Sequence, residues 1–302
     1  MGVQSLMPQG PFDLANQNSF FGGWPTLAAD NSALVVALPI EGRSASAAVV
    51  VSQDADAKIQ FEVHGTDQAS AADQDNAAVE QVRAALSLDI DAREWPEVGR
   101  KEQQIGQLQD KYGFLRPVLF NSPYEAAAHF IIGHRVSMQQ ARVIRARMAE
   151  QLGARIEVRG ESFAAFPDSE RLLEVTEFPG LNSTKIQRLH GVARAALDGV
   201  LNRNHLRSLS VEEALAQLRT IEGIGPFFAS GILNRGAGVV DGVTDDELTK
   251  YAVKLRYGLA EDPTQAEVLR IAENWAPFRM WAEVLLHIWL RREAGLPRRR
   301  PR

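Results

Sequence analysis

The 302 residues include no cysteine and carry 33 basic against 38 acidic side chains, with 45% apolar and 24% charged residues. That is the composition of an ordinary globular chain, and it excludes a disulfide scaffold, a thiol nucleophile and zinc or iron–sulfur sites held by Cys. No run of about 18 apolar residues is present to span a bilayer. The net charge of −5 hides an asymmetry. Residues 1–110 hold 6 basic and 16 acidic groups, and residues 111–302 hold 27 and 22. Residues 291–302, with six Arg and one Glu, account for the whole excess of +5 in the second part. This tail reads either as a solvated end or as a phosphate contact. Charge alone marks no nucleic-acid surface, because residues 111–290 are neutral. The opening MGVQSLMPQGPFD has no basic start followed by an apolar stretch, so a bacterial-type cytosolic location is expected. The length suggests about two domains.

Residues 32–40 contain the apolar run Ala33 to Leu38, and residues 47–51 contain three consecutive Val. Residues 58–64 alternate strictly, with Ile59, Phe61 and Val63 on one side and Lys58, Gln60, Glu62 and His64 on the other. Period two with one wet face predicts an antiparallel strand. Glu41-Gly42-Arg43-Ser44 supplies a hairpin turn between the first two strands. Residues 66–76 are polar and predict a loop. Val79, Val82 and Leu86 then recur at helical spacing, and Trp95-Pro96-Glu97-Val98-Gly99 reads as a linker.

Helix start signals follow: Ser122-Pro123-Tyr124-Glu125, then Ser137 with Gln140, Ser210 with Glu213 and Thr264 with Glu267, each with the order of a capping box. Gly153 and Gly160 punctuate helix ends. No β-rich segment is evident after residue 110. The expected architecture is an α+β domain over residues 1–100, an antiparallel sheet with helices, followed by an all-α domain over 101–290 and the Arg-rich tail 291–302.

The most informative stretch is Leu218-Arg219-Thr220-Ile221-Glu222-Gly223-Ile224-Gly225-Pro226-Phe227-Phe228-Ala229. A helical stripe of Ala214, Leu215 and Leu218 precedes it, and Pro226 suits the first turn of a new helix. Two Gly bracketing one Ile allow a tight turn with positive φ. The Ile pins the turn, and the orphan N–H groups of the second helix favour an anion such as a duplex phosphate. Alone, this is equally a helix–helix connection with no ligand. Further on stand Val243-Thr244-Asp245-Asp246-Glu247-Leu248-Thr249-Lys250 and Trp275-Ala276-Pro277-Phe278-Arg279-Met280-Trp281-Ala282.

The order of hairpin, Asp and Trp-x-Pro-x-Arg helix resembles the helix-hairpin-helix DNA glycosylase superfamily. Within it, the bacterial 3-methyladenine DNA glycosylase II family is the closest match. Leu115-Arg116-Pro117-Val118, Ser122 to Ala126, Ile132-Gly133-His134-Arg135-Val136-Ser137, Phe178-Pro179-Gly180-Leu181 and Lys185 extend the resemblance over roughly residues 105–290. The resemblance implies an all-α helix-hairpin-helix glycosylase domain behind an accessory sheet domain. It implies a monomer that takes double-stranded DNA containing a damaged base, with no cofactor and no membrane partner.

Carried over position by position, the resemblance makes Asp246 the catalytic carboxylate, stabilising positive charge on the deoxyribose as the base leaves. Asp245 would then serve the turn or a helix cap; both Asp merely capping the following helix is the plainer alternative. Gly223, Ile224 and Gly225 would grip DNA, with a monovalent cation at the backbone of Gly223 and Gly225 and no side-chain metal site. Lyase members carry Lys where Phe227 stands, so a monofunctional glycosylase is implied. Phe227, Trp275 and Glu247 fall at base-pocket positions, with Gly231 and Glu247 replacing aromatics and Trp281 read as core. Arg135, with His134 before it, matches the wedge that fills the gap left by a flipped base, or else is a solvated Arg beside a helix-end His. Lys185 reads as a phosphate contact or a solvated charge. His64, His129, His190, His205 and His287 lack metal-ligand spacing and are expected in packing or surface roles. The function implied is hydrolysis of the N-glycosidic bond of a damaged, alkylated purine. A non-catalytic damage-binding protein and an oxidised-purine glycosylase are the alternatives.

Overall fold

The computed structural model describes residues 3–21, 27, 32–65 and 71–295. In chain order the elements begin β1 (Gln4–Leu6), α1 (Leu14–Phe21), β2 (Ala33–Pro39), β3 (Ser46–Gln53), β4 (Ile59–His64), α2 (Ala71–Ala85), α3 (Trp95–Lys101) and α4 (Gln103–Tyr112). There follow α5 (Pro123–Gly133), α6 (Met138–Leu152), β5 (Arg155–Val158), β6 (Glu161–Ala164), α7 (Ser169–Leu173), α8 (Ser183–Leu197), α9 (Arg203–Ser208) and α10 (Val211–Leu218). α11 (Pro226–Ile232) runs into a π-helical turn at Leu233–Ala237, and α12 (Glu247–Tyr257), α13 (Gln265–Ala272) and α14 (Arg279–Trp289) close the series.

The chain forms two compact units that are not consecutive in sequence. The first comprises Met1–Pro8, Asp13–Ile90 and Val118–Gly238; the second comprises Gln9–Phe12, Asp91–Pro117 and Val239–Arg302. A sheet followed by helices is what the sequence predicts, but a cut at residue 100 does not describe the packing. The sheet shares its unit with α1, α2 and α5 to α11, and α3, α4 and α12 to α14 belong to the second unit.

In the first unit the sheet order is β1-β4-β3-β2, with every pairing antiparallel. β4 alternates buried Ile59, Phe61 and Val63 with half-buried neighbours, as its period predicts. β3 instead buries Val49, Val50 and Val51 in succession. The reason lies outside the strand. α2 packs on β3 and β4, and the β5–β6 hairpin covers the other face, where Val35, Ala48 and Val50 pack against Ile156, Val158 and Phe163. This hairpin corrects the expectation of no β structure after residue 110. Ile156 and Val158 alternate with charged residues, and Arg159 (φ 51°) and Gly160 (φ 86°) form the two-residue loop. Positive φ at both positions is the twist that such hairpins require. Gly160 is thus a strand turn, not a helix end.

The helix over Val79 and Val82 begins at Ala71, earlier than the polar composition of 66–76 suggests; residues 66–70 lie outside the described residues. Ser122 caps α5 by accepting the Glu125 N–H at 3.1 Å. The Glu125 carboxylate does not return to complete a capping box but accepts from Asn121 at 3.0 Å and from Arg145. Full capping boxes form at Ser137–Gln140, Ser210–Glu213 and Thr264–Glu267. α5 buries residues on all sides, among them Ala126, Ala127 and Ala128, and it contacts α6, α8 and α11. A helix apolar all round is a central one.

In the second unit the segment expected as a linker is the helix α3, with Pro96 in its first turn, where a missing N–H costs nothing. Trp95 is buried there, with ring centroids 5.6 Å from Phe278 and 5.7 Å from Trp281. Trp281 is core, as expected. Buried Arg116 donates to the carbonyls of Pro11 at 2.9 Å and Gln9 at 2.7 Å. Among the described residues no helix is long and apolar enough to cross a membrane. Of the Arg-rich tail, residues 296–302 lie outside the described residues.

Candidate functional site

Within the first unit, residues 219–225 join α10 to α11. Gly223 sits at φ +87°, a conformation that favours glycine, and a Cβ there would lie 2.6 Å from Arg188 Cδ, so that side chain would have to shift. Gly225 is different. Its φ is −85° with extended ψ, it is the N-cap of α11, and no side chain caps that helix. The space beside its Cα is open. Positive φ therefore explains one of the two glycines, and Gly225 leaves the first-turn N–H groups of α11 without a side-chain acceptor. Ile224 is buried and pins the turn.

Phe227, the second residue of α11, is 49% exposed. Its ring belongs to a cluster with Phe228 (centroids 5.9 Å apart) and Phe130 (6.4 Å), and Phe130 stacks on Phe228 at 5.1 Å. A Cβ at Gly231 would lie 2.4 Å from the Phe130 ring. The missing aromatic at 231 is thus the space that a ring from α5 fills. Phe130 and Phe228 escaped the sequence reading because their apolar surroundings mark them only as core.

His134 and Arg135 form the turn between α5 and α6. Arg135 is exposed and left-handed, at φ +58°. Such a conformation is costly for a residue with a side chain, and it turns up where local geometry is functionally constrained. His134 meets the Phe228 ring edge-on at 5.9 Å. Burial, followed by the charges of Arg135, Arg188 and Lys185, pushes its pKa down. Lys185 is neither a phosphate contact nor a solvated charge. It is buried, and its Nζ donates to the Ile132 carbonyl at 2.7 Å, capping the C-terminal end of α5 with a cation. Burial pushes its pKa down. Lys185→Met leaves that carbonyl without its donor and should cost roughly 1.5–3 kcal/mol, read as a lower midpoint in urea unfolding. An unchanged midpoint would remove Lys185 from the support of this turn.

Within the second unit, Asp246 is the N-cap of α12. Its Oδ1 accepts the Thr249 N–H at 2.8 Å and its Oδ2 accepts the Thr249 hydroxyl at 2.8 Å. The cap role expected for Asp245 thus belongs to Asp246, which is half-buried and retains access to solvent. Asp245 is exposed and ion-paired with Lys250 at 2.8 Å. Glu247 is exposed and meets the same Lys250 at 3.2 Å.

Trp275 does not fit the base-pocket position that the resemblance implies. It is 0% exposed and its indole N–H donates to the Tyr257 hydroxyl at 2.9 Å, so no ring face is open to a base. His287 is also corrected. It lies within 2.9 Å of the Thr249 hydroxyl, as does Glu283, at 2.6 Å. Asp246, Glu283 and His287 bring ligand-type atoms within 4.8 Å of one another. Glu283 and His287 are four apart on α14, hence on one face, but nothing in the local sequence says that this face meets Asp246. The other four histidines take packing or surface contacts: His64 beside Glu62, His129 against Phe120, His190 to the Val175 carbonyl and His205 to Gln217.

No protein-family model matches the chain. DNA-3-methyladenine glycosylase 2 of Escherichia coli (strain K12) is 32% identical over 170 residues, which span 55% of this chain and 56% of that protein. Among solved structures, the 3-methyladenine DNA glycosylase of Archaeoglobus fulgidus superposes with a TM-score of 0.78 at 21% identity, covering 97% of this chain and 100% of that one. The 8-oxoguanine glycosylase/lyase of Clostridium acetobutylicum in complex with double-stranded DNA gives 0.70 at 16% identity, covering 98% and 99%. The fold is therefore one that alkylated-base and oxidised-base enzymes share.

Proposed function

With the chain a relative of the bacterial 3-methyladenine DNA glycosylases, in the helix-hairpin-helix DNA glycosylase superfamily, we propose that it is a DNA repair enzyme of the monofunctional kind. It flips an alkylated purine out of duplex DNA and hydrolyses its N-glycosidic bond. The observation that carries this reading is the Asp246 carboxylate, half-buried at the start of α12 with both oxygens fixed by Thr249. As the base departs, positive charge develops on the deoxyribose. A fixed carboxylate stabilises that cation without reorganising and orients the incoming water.

The turn around Gly223, Ile224 and Gly225 is assigned to the DNA backbone, through the N–H groups at the start of α11. The backbone of Gly223 and Gly225 would be what holds a monovalent cation at this turn, where the ion would supply positive charge toward the DNA. Arg135, with His134 behind it, is assigned to the vacated position in the stack. Phe227, backed by Phe130 and Phe228, is assigned to the extruded base, because a cationic alkylated purine is held well by aromatic faces. Glu247, exposed and next in sequence to Asp246, is assigned a preference for a cationic lesion over a neutral one. The enzyme acts as a monomer.

Phe227 has no amine, so no Schiff base with the sugar can form at that position and the strand is left intact. Borohydride trapping on duplex carrying an abasic site tests this. The expected result is no covalent adduct and strand cleavage only after alkali. A trapped adduct would replace the hydrolytic mechanism with a lyase one.

A further inference from the structure

The Thr249 hydroxyl is fully buried and has three polar neighbours: Asp246 Oδ2 at 2.8 Å, Glu283 Oε1 at 2.6 Å and His287 Nε2 at 2.9 Å. A hydroxyl carries one proton and two lone pairs. If both carboxylates were ionised, two acceptors would compete for one proton, and one short oxygen–oxygen contact would have none. The arrangement closes only if a second proton is present and the imidazole donates. Of the two carboxyl groups, Glu283 is the one to hold it. It is 4% exposed, where an ionised group is costly. Asp246 is only half-buried, and its access to solvent favours the ionised form. The same geometry argues against a cation among Asp246, Glu283 and His287, since the Thr249 oxygen stands in the space that an ion would take.

We propose that Thr249 and Glu283 are positioning residues for Asp246. A neutral Glu283 donates to the Thr249 hydroxyl, which donates to Asp246 Oδ2, while His287 donates to the second lone pair of the hydroxyl. The protons remain on their own atoms, and no bond forms or breaks. The effect is to lock one orientation of the Asp246 carboxylate and to keep it the ionised member of the pair. Thr244 holds Glu283 in turn, donating from its N–H at 3.2 Å to Oε1 and from its hydroxyl at 3.3 Å to Oε2.

This rests on Asp246 being the catalytic group, and the experiment keeps the two claims apart. Single-turnover base release from methylated duplex and duplex affinity are measured for the wild type, Thr249→Val, Thr249→Ser, Glu283→Gln and Glu283→Ala. Thr249→Val should slow release about tenfold to a hundredfold, the fold-change of one hydrogen bond to a charged group, with affinity unchanged. Thr249→Ser should restore most of the rate. Glu283→Gln, a neutral donor of the same shape, should stay near the wild type while Glu283→Ala falls with Thr249→Val. Infrared difference spectra should show the carbonyl band of a protonated acid that Glu283→Gln removes. Thr249→Val at the wild-type rate, or Glu283→Gln as slow as Glu283→Ala, overturns the proposal while leaving the glycosylase reading intact. A wild type that releases no base overturns the glycosylase reading itself. Should Thr249→Val not fold, the Glu283 pair and the infrared band decide.

Discussion

Asp246→Asn should lower single-turnover base release by roughly a hundredfold to a thousandfold, the range seen when one preorganised electrostatic group is removed, with duplex affinity and folding stability nearly unchanged. The separation is possible because the capping role of Asp246 and the catalytic role proposed for it would respond differently. As the N-cap of α12 it accepts the Thr249 N–H through Oδ1, and Asn caps helices about as well as Asp. The amide therefore keeps the cap through Oδ1 while removing the negative charge that the proposed mechanism requires. Asp245→Asn is the internal control. That residue is exposed and paired with Lys250 at the surface, where an ion pair contributes little, so the release rate of Asp245→Asn should match the wild type. Equal rates for wild type and Asp246→Asn would return Asp246 to a capping role alone.

The largest stability effect is expected at Arg203, far along the sequence from Asp246. Its guanidinium is buried and donates to the carbonyls of Asn121 at 2.9 Å, Gly236 at 3.2 Å, Phe120 at 3.3 Å and Gln81 at 3.4 Å. Its backbone N–H donates to the Glu41 carboxylate. Burial pushes the Glu41 pKa up, and the Arg203 charge works against that. From the start of α9, one residue thus ties together α2, the β2–β3 connection, the segment before α5 and the π-helical turn after α11 within the first unit. Arg203→Leu strips several buried carbonyls of their donor and leaves the half-buried Glu41 carboxylate without its cation, which should cost roughly 3–5 kcal/mol. Arg203→Lys should fall between, since an ammonium cannot reach carbonyls in a fork. Chemical denaturation reads both variants. A Leu variant within about 1 kcal/mol of the wild type would show that the network contributes little net stability.

What the sequence made legible was local. Alternation over residues 58–64 predicted the burial of β4 residue by residue, and capping chemistry placed the starts of α6, α10 and α13. The glycine turn before α11 was visible because positive φ leaves few other choices of residue. What escaped depends on partners remote in sequence. β3 buries three consecutive Val only because a helix and a hairpin cover its two faces. Trp275 reads as an accessible aromatic until Tyr257 and the surrounding core enclose it. His287 carries no local mark, since its meaning comes from Thr249 and Asp246, which lie about ten turns of helix away in sequence. Lys185 looks like any surface cation until the end of α5 is placed over it.

The claim on which the account rests is that this chain releases methylated purines by hydrolysis. A mass-spectrometric inventory of the bases that the wild-type protein frees from alkylated duplex DNA tests it most directly. Free methylated adenine or guanine is the expected product, with the DNA strands intact until alkali is added. Tight duplex binding with no base released, or release of 8-oxoguanine in preference to any methylated purine, would contradict it.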